Sequence, residues 1–228
     1  MRQLLTDDER ARLAVLSTIV RFKKGEIIYQ EGDHADAVFN LNTGVVTAFK
    51  KAPDGSEHVV AFLLTDDLFG LSAEGQYTNS TRAMTAVTAY RLPVTALRSR
   101  LTKDADLEFH VVCKLCQELR QAQRHAFLLS QRSAVTKLAI FLQLFEQVQI
   151  AKGEPAVEIH LPMDRSDIAE YIGMTLAAVS RAFRTLATRG IIRVRDRHHV
   201  RIVDHSGFEK IAGDPPLPAM QFVEAAHN

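Results

Sequence analysis

The sequence predicts an α+β protein made of three consecutive parts: a β-rich module, one long helix and a small, mostly helical domain. Short β-prone runs separated by turn residues fill roughly the first hundred residues. A segment without Gly or Pro but with helical periodicity follows, and the last third contains two helical segments around a glycine. We expect these parts to cover residues 1–104, 105–132 and 133–213, with a C-terminal tail at 214–228.

The composition is that of an ordinary globular protein. Of 228 residues, 46% are hydrophobic and 24% are charged, and 28 Lys and Arg against 27 Asp and Glu leave a net charge of +1. Apolar runs such as 59–64 are too short to cross a bilayer, and the first residues lack the basic and apolar regions of a secretory signal. We therefore expect a cytoplasmic protein that does not engage a membrane.

A short helix is predicted near the start of the chain. Thr6 and Glu9 have the spacing of a capping box, and Leu13, Leu16 and Val20 continue an apolar face.

After this helix, the hydrophobic period changes to that of strands. The predicted strands cover 26–29, 38–41, 45–50, 58–64, 83–87 and 90–93, and their spacing is typical of a small antiparallel barrel or jelly roll.

One uninterrupted helix is predicted over 105–132, followed by a second amphipathic helix over 133–150. The first would be about 40 Å long at 1.5 Å per residue, and its apolar stripe is wide enough to contact both the β module and a partner. Alternating spacings of four and three predict a parallel homodimer seam, formed by Val112, Cys116, Leu119, Gln123 and Ala126. Gly153 and Pro155 then interrupt the helical pattern.

Two helices around a tight turn at Gly173 are predicted over 164–186. Their inner faces are small or apolar, formed by Ile168, Ala169, Ile172, Val179, Ala182, Phe183 and Leu186. The opposite face of the second helix displays Thr175, Ala177, Ala178, Ser180, Arg181 and Arg184. These side chains suit the major groove of B-DNA, which admits an α-helix.

A basic hairpin is predicted directly after this helix pair. Over 191–203, apolar and basic residues alternate around a polar turn, which is the pattern of a two-stranded wing. Seven Arg and one Asp lie between Arg181 and Arg201, a local charge of +6 in a chain whose total is +1. Since Arg binds both phosphates and guanine edges, this asymmetry favours a winged helix-turn-helix that binds DNA. The alternative is a pair of packed helices with a solvated basic face.

The order of these parts resembles the Crp/Fnr superfamily of bacterial transcription regulators, from about Leu4 to Ala212. The stretches 22–33, 44–46 and 67–70 are similar to the family's first barrel strands, its next glycine turn and the entry to its ligand cassette. The stretch 128–134 followed by 161–169 looks closest to the Fnr and FixK branch. The resemblance implies a cyclic-nucleotide-binding-like β jelly roll that senses an effector, a dimerisation helix and a DNA-binding domain. It also implies a homodimer on a palindromic duplex, with RNA polymerase as a further partner.

Carried over position by position, the resemblance places three arginines near DNA phosphates: Arg165, Arg195 and Arg197. It assigns the reading of the half-site to Ser180 and Arg181. Fnr-like members carry Glu-x-x-Ser-Arg there, whereas the glutamate position in this chain is Ala177. A carboxylate that would accept a base amino hydrogen is therefore absent, and a methyl group that can meet a thymine methyl takes its place.

The same resemblance locates an effector pocket at Gly70, Leu71, Ser72, Arg82, Gln123 and Arg124. Nucleotide-binding members have a Gly-Glu-Leu cassette and a later Arg-Ser or Arg-Thr pair, and both elements are degraded in this chain. A cyclic phosphate buried without a cationic or amide partner would be costly. Arg82 is either that partner, in a loop of altered length, or an ordinary exposed strand residue.

The two cysteines, Cys113 and Cys116, are three residues apart on the long helix and are expected to share one face. Two subunits of a dimer would supply four thiols for a bridging metal or a redox pair; the alternative is structural cysteine. The nine histidines form no tight ligand cluster in sequence for haem or metal. We therefore assign no cofactor: a cyclic nucleotide, haem or a metal bridging the dimer is compatible with the chain, but no motif in the sequence supports one.

Two functions from different classes are compatible with the sequence. The leading hypothesis is a sequence-specific DNA-binding transcription regulator. The second is a nucleotide-binding regulatory module that acts on a protein partner and uses the helix pair as its docking surface. The arginine-rich wing favours the first. An enzyme is not expected, because phosphate-binding glycine loops, zinc-protease pairs and nucleophile elbows are absent from the sequence.

Overall fold

The computed structural model describes residues 7–151 and 157–213, which divide into two compact units. The division falls between Cys116 and Gln117, inside the long helix that the sequence predicts. Thr6, Gly153, Pro155 and the predicted tail at 214–228 lie outside the described residues.

The first unit is a β jelly roll with flanking helices. Its sheets are antiparallel and four-stranded, with the strand orders β1-β8-β3-β6 and β2-β7-β4-β5. The elements are α1 (Asp7–Val15), β1 (Thr18–Phe22), β2 (Ile27–Tyr29), β3 (Ala37–Thr43), β4 (Val46–Lys51), β5 (Glu57–Leu63), β6 (Leu68–Phe69), β7 (Ser80–Ala83), β8 (Val87–Pro93), α2 (Val94–Leu101) and the first part of α3 (Ala105–Ser130).

An aromatic cluster fills the interior of the jelly roll. The rings of Tyr29 and Tyr77 stack with centroids 3.8 Å apart, and those of Phe39 and Phe69 lie 5.3 Å apart. Residues from both sheets, Leu41 and Val46 among them, join the same buried cluster. Tyr77 also donates a hydrogen bond from its hydroxyl to the Ala37 carbonyl at 2.9 Å. Burial of this apolar surface holds the two sheets together.

Two predictions about this unit are wrong. Helix α1 ends at Val15, and Val20 lies in β1, where it pairs with Ala89 of β8. The strand predicted over 83–87 ends at Ala83, because the amides of Met84 and Thr85 both donate to the Val45 carbonyl in a turn. In both places, hydrogen bonding to residues far away in the chain overrides the local apolar pattern.

The second unit contains the rest of α3 and a winged helix-turn-helix. Its other elements are α4 (Ala134–Ala151), β9 (Ile159–His160), α5 (Arg165–Tyr171), α6 (Leu176–Thr188), β10 (Ile192–Val194), β11 (His199–Ile202) and α7 (His205–Ala212). The three strands pair in the order β10-β11-β9. The core is formed by fully buried residues of α4, α5 and α6, including Leu138, Phe141, Ile168 and Leu186.

The helix pair and the wing predicted for this unit are present, together with two elements that the sequence pattern did not indicate. Strand β9 has only two residues, too few to show a period, and extends the wing sheet by pairing with β11. Helix α7 begins where the Asp204 side chain accepts a hydrogen bond from the Gly207 amide. Within 7–151 and 157–213, no helix is long and apolar enough to cross a membrane.

Candidate nucleic-acid interface

Helices α5 and α6 are joined by a turn that depends on Gly173. Its φ of +62° lies in the left-handed region, and a Cβ at this position would lie 3.1 Å from Leu129 Cδ2. The turn ends at Thr175, whose Oγ1 accepts a hydrogen bond from the Ala178 amide at 3.2 Å. This cap starts α6 and fixes where its first turn emerges from the domain.

The buried side and the exposed side of α6 are those that the sequence predicts. Its inner side, Val179, Ala182, Phe183 and Leu186, is at most 6% exposed. The predicted groove-facing residues Thr175, Ala177, Ser180, Arg181 and Arg184 are exposed, and Ala178 is half-buried. Arg181 and Arg184 form no ion pair with any described residue. Their charges are therefore available to a polyanion outside the domain.

The wing adds a second pair of unpaired cations. Arg193 of β10 lies directly opposite Arg201 of β11, and both side chains are exposed. Like charges facing each other across strands repel, and no described acidic side chain pairs with either residue. A bound phosphate would relieve this repulsion. Sequence analysis did not single out these two residues, although the alternation of apolar and basic residues together with the hairpin register would have placed them side by side.

The other wing arginines are held in ion pairs. Arg195 contacts Glu158 at 2.7 Å and Asp196 at 3.4 Å, and Arg197 lies 3.9 Å from Asp164. The arginine side chains are 57% and 76% exposed, so these pairs are weak and exchangeable. The predicted phosphate contacts of Arg195 and Arg197 therefore require each arginine to exchange a carboxylate for a phosphate.

A carboxylate organises the tip of the wing. Asp196 accepts hydrogen bonds from the amides of His198 and His199, at 2.8 Å and 2.9 Å, and lies 2.9 Å from His199 Nδ1. The backbone bond from His198 and the side-chain bond from His199 hold the pKa of Asp196 well below its ordinary value. The Asp196 carboxylate therefore stays ionised, and able to accept these hydrogen bonds, below the ordinary pKa of an aspartate.

Arg165 lies between the two helices rather than extending into solvent. Its guanidinium carbon is 3.2 Å from the centroid of the Phe183 ring, a cation–π contact. Desolvation lowers the pKa of Arg165 to about 10, and its Nη1 atom is buried without a hydrogen-bond partner. Arg165 thus links α5 to α6, and its contact with a phosphate stays a prediction.

In the predicted effector pocket, Arg82 has partners within the jelly roll itself. The Arg82 Nη2 atom lies 3.0 Å and 2.9 Å from the two carboxylate oxygens of Glu57, and the guanidinium stacks over Phe49. A Cβ on Gly70 would lie 3.2 Å from the Tyr77 ring. Arg82 therefore behaves as a strand residue with a protein counter-ion. Leu71 and Ser72 follow Gly70 outside the named strands, while Gln123 and Arg124 belong to the second unit. The pocket as a whole stays a prediction.

The two cysteines lie in different environments. Cys113 is buried and Cys116 is exposed, and desolvation raises the pKa of the Cys113 thiol. Among the described residues, no group of three or more His, Cys, Asp or Glu is placed to hold a metal ion. A metal bound at these thiols would therefore need ligands beyond the groups that the described residues bring together.

Comparison with known proteins identifies the family. A model of the cyclic nucleotide-binding domain matches residues 19–104, and a model of the Crp-like helix-turn-helix domain matches residues 136–211. The nitrogen fixation regulation protein FixK of Bradyrhizobium diazoefficiens is 33% identical over 175 residues, which are 77% of this chain and 74% of that protein. The chain belongs to the Crp/Fnr family.

Further relatives place this Crp/Fnr protein in the Fnr and FixK branch. The transcriptional activator protein FnrA of Stutzerimonas stutzeri is 28% identical over 193 residues, covering 84% of this chain and 79% of FnrA. The structure of FixK2 from Bradyrhizobium japonicum matches with a TM-score of 0.80 and 27% identity, covering 87% of this chain and 98% of FixK2. This Crp/Fnr protein is a DNA-binding transcription regulator and not an enzyme, which confirms the family, the fold and the leading function predicted from the sequence.

Proposed function

We propose that this regulator binds a palindromic duplex as a parallel homodimer joined through α3, with its two α6 helices in successive major grooves about 34 Å apart. One observation carries the proposal: the face of α3 predicted as a seam is exposed. Leu119 is 60% exposed and Val112 49% exposed, and they are flanked by Phe109 and Phe127, at 55% and 61%. Large apolar side chains exposed along one helix face mark an interaction surface.

The spacing along this face indicates a second copy of the same chain as the partner. Val112, Cys116, Leu119, Gln123 and Ala126 are all exposed and alternate by four and three residues, which is the seam of a two-stranded coil. A twofold-symmetric dimer presents two identical recognition helices. A palindromic duplex presents two identical half-sites to them.

In this proposal, the regulated quantity is the fraction of dimers that can bind DNA. Either a signal in the β jelly roll or the amount of protein sets the population in which both α6 helices match the groove spacing. RNA polymerase is the proposed further partner, because the relatives are regulators of transcription, and the cytoplasm is the proposed place of action.

The test compares two substitutions on α3 by sedimentation and DNA binding. Leu119→Glu places charges in the proposed seam and is expected to give a monomer that binds the palindrome at least tenfold more weakly. Gln121→Glu is the matched control, because Gln121 is also exposed and lies roughly 200° around the helix from Leu119. It should remain a dimer with wild-type binding.

Two results would overturn the proposal. One is a wild-type protein that stays monomeric while it binds the palindrome; the other is a Leu119→Glu variant that remains dimeric. Salt titration separates DNA binding from the alternative of docking on a protein partner, because DNA affinity falls steeply with ionic strength in proportion to the phosphates neutralised.

A further inference from the structure

The first turn of α6 presents an apolar tip. Leu176 is 51% exposed, Ala177 is exposed and Ala178 is half-buried. None of these three side chains carries a hydrogen-bond donor or acceptor. The neighbouring Thr175 uses its oxygen to accept the cap hydrogen bond from the Ala178 amide. The first side chains within α6 that can form hydrogen bonds are therefore those of Ser180 and Arg181, one turn later.

The helix geometry points Ala177 in the same direction as the arginines, whereas Leu176 lies about 100° to one side of Ala177. At about 100° per residue, Ala177 is roughly opposite the buried Leu186, and Arg184 lies at nearly the same angle as Ala177. Arg181 is one turn after Ala177 on this outward side. Because Ala177 ends at Cβ, the backbone of the first turn can approach a surface more closely there than a longer side chain would permit.

The major groove offers one apolar group to such a tip, the 5-methyl group of thymine. Purine edges and the cytosine edge expose polar atoms there, which would lose hydration without gaining a partner from Leu176 or Ala177. We infer that Leu176 and Ala177 select thymine through its methyl group, next to the base pair that Arg181 reads. The inference rests on the proposed function, because it requires α6 to lie in the major groove of DNA.

The first step of the test is selection of bound duplexes from a random library, which should yield thymine at one position of each half-site. Replacement of that thymine by uracil removes only the methyl group and keeps every hydrogen-bonding atom. At the transfer energy of one buried methyl group, affinity should fall about fourfold for one half-site and about fifteenfold for both. A duplex with 5-methylcytosine at this position should bind more tightly than the same duplex with cytosine.

Two variants assign the effect to these residues. Leu176→Ser replaces a large, exposed apolar side chain by a small polar one, and it should bring the ratio of thymine to uracil affinity close to one. Ala177→Glu should move the preference towards cytosine, whose amino group a carboxylate accepts. Ser206→Ala, at an exposed residue of α7, is the control and should retain the full ratio.

The outcomes separate the inference from the proposed function. Tight binding with equal affinity for thymine and uracil duplexes, or selected half-sites without a thymine preference, overturns the inference and leaves DNA binding intact. An unchanged ratio in Leu176→Ser assigns the discrimination to other residues and also overturns it. Failure of the wild-type protein to bind any duplex at low salt overturns the proposed function itself.

Discussion

Replacing Arg181 by alanine and replacing Arg201 by alanine should weaken DNA binding in different ways. Both side chains are exposed and neither forms an ion pair with a described residue, so neither substitution leaves a carboxylate of the described protein unpaired. Arg181 lies on the outward side of α6, where base edges are read. Arg201 lies on the wing beside Arg193, where phosphates are the expected contact.

The expected magnitudes follow from these positions. Loss of a bidentate guanine contact costs about 1–3 kcal/mol, and a dimer loses it twice, so Arg181→Ala should weaken binding to the selected duplex about 30-fold or more. The affinity of this variant for random duplexes should fall much less. Arg201→Ala removes one phosphate contact from each copy and should lower the slope of log affinity against log salt by about 1.8. Neither change should alter the free energy of unfolding by more than about 0.5 kcal/mol.

Fluorescence anisotropy on the selected duplex and on random duplexes, at several salt concentrations, measures both effects, and urea unfolding checks the fold. If Arg181→Ala weakens binding equally on selected and random duplexes, Arg181 does not read a base. If Arg201→Ala leaves the salt slope unchanged, the wing face that carries Arg193 and Arg201 does not contact the DNA backbone.

Three further predictions concern stability. Lys114→Met should lower the free energy of unfolding in urea by about 3 kcal/mol, because it removes the cation from a buried pair in which Lys114 Nζ lies 3.2 Å from Asp67 Oδ1; a loss below 1 kcal/mol would contradict this. Gly173→Ala should lower the melting temperature through a cost of about 1 kcal/mol or more, since its φ is positive, and an unchanged melting temperature would show that the turn relaxes. The depressed pKa of Asp196 means that its stabilisation is present above the unfolded-state pKa of about 4 and is lost only as the pH falls through the lower folded value. The His198 amide should therefore remain protected from hydrogen exchange at pH 4, and Asp196→Ala should expose it at every pH; equal protection in both proteins would refute the role of the carboxylate.

Most of the architecture was predictable because its signals are local. The long helix expected at 105–132 is observed at Ala105–Ser130, and the helix expected at 133–150 is observed at Ala134–Ala151. Both segments are free of Gly and Pro and have clear helical periods. The glycine turn and the inner face of α6 were also predictable, because small and apolar residues recur where two helices must touch.

The incorrect and missing elements were decided by partners far away in the chain. Val20 has a helical spacing from Leu16, yet it pairs with Ala89 in the sheet. Strand β9 has only two residues and exists because β11 offers it an edge. No window of the sequence around Val20 or β9 contains the strand that decides its structure.

The amino-acid sequence by itself determined the succession of jelly roll, long helix and winged helix-turn-helix, because periodicity and turn residues act over a few positions. Only the tertiary structure decided which of the charged and reactive side chains are available. It pairs Arg195 with Glu158 across 37 positions of sequence, pairs Arg82 with Glu57, and buries Cys113 while exposing Cys116. Such outcomes depend on what lies opposite each side chain in space, and only folding brings those neighbours together.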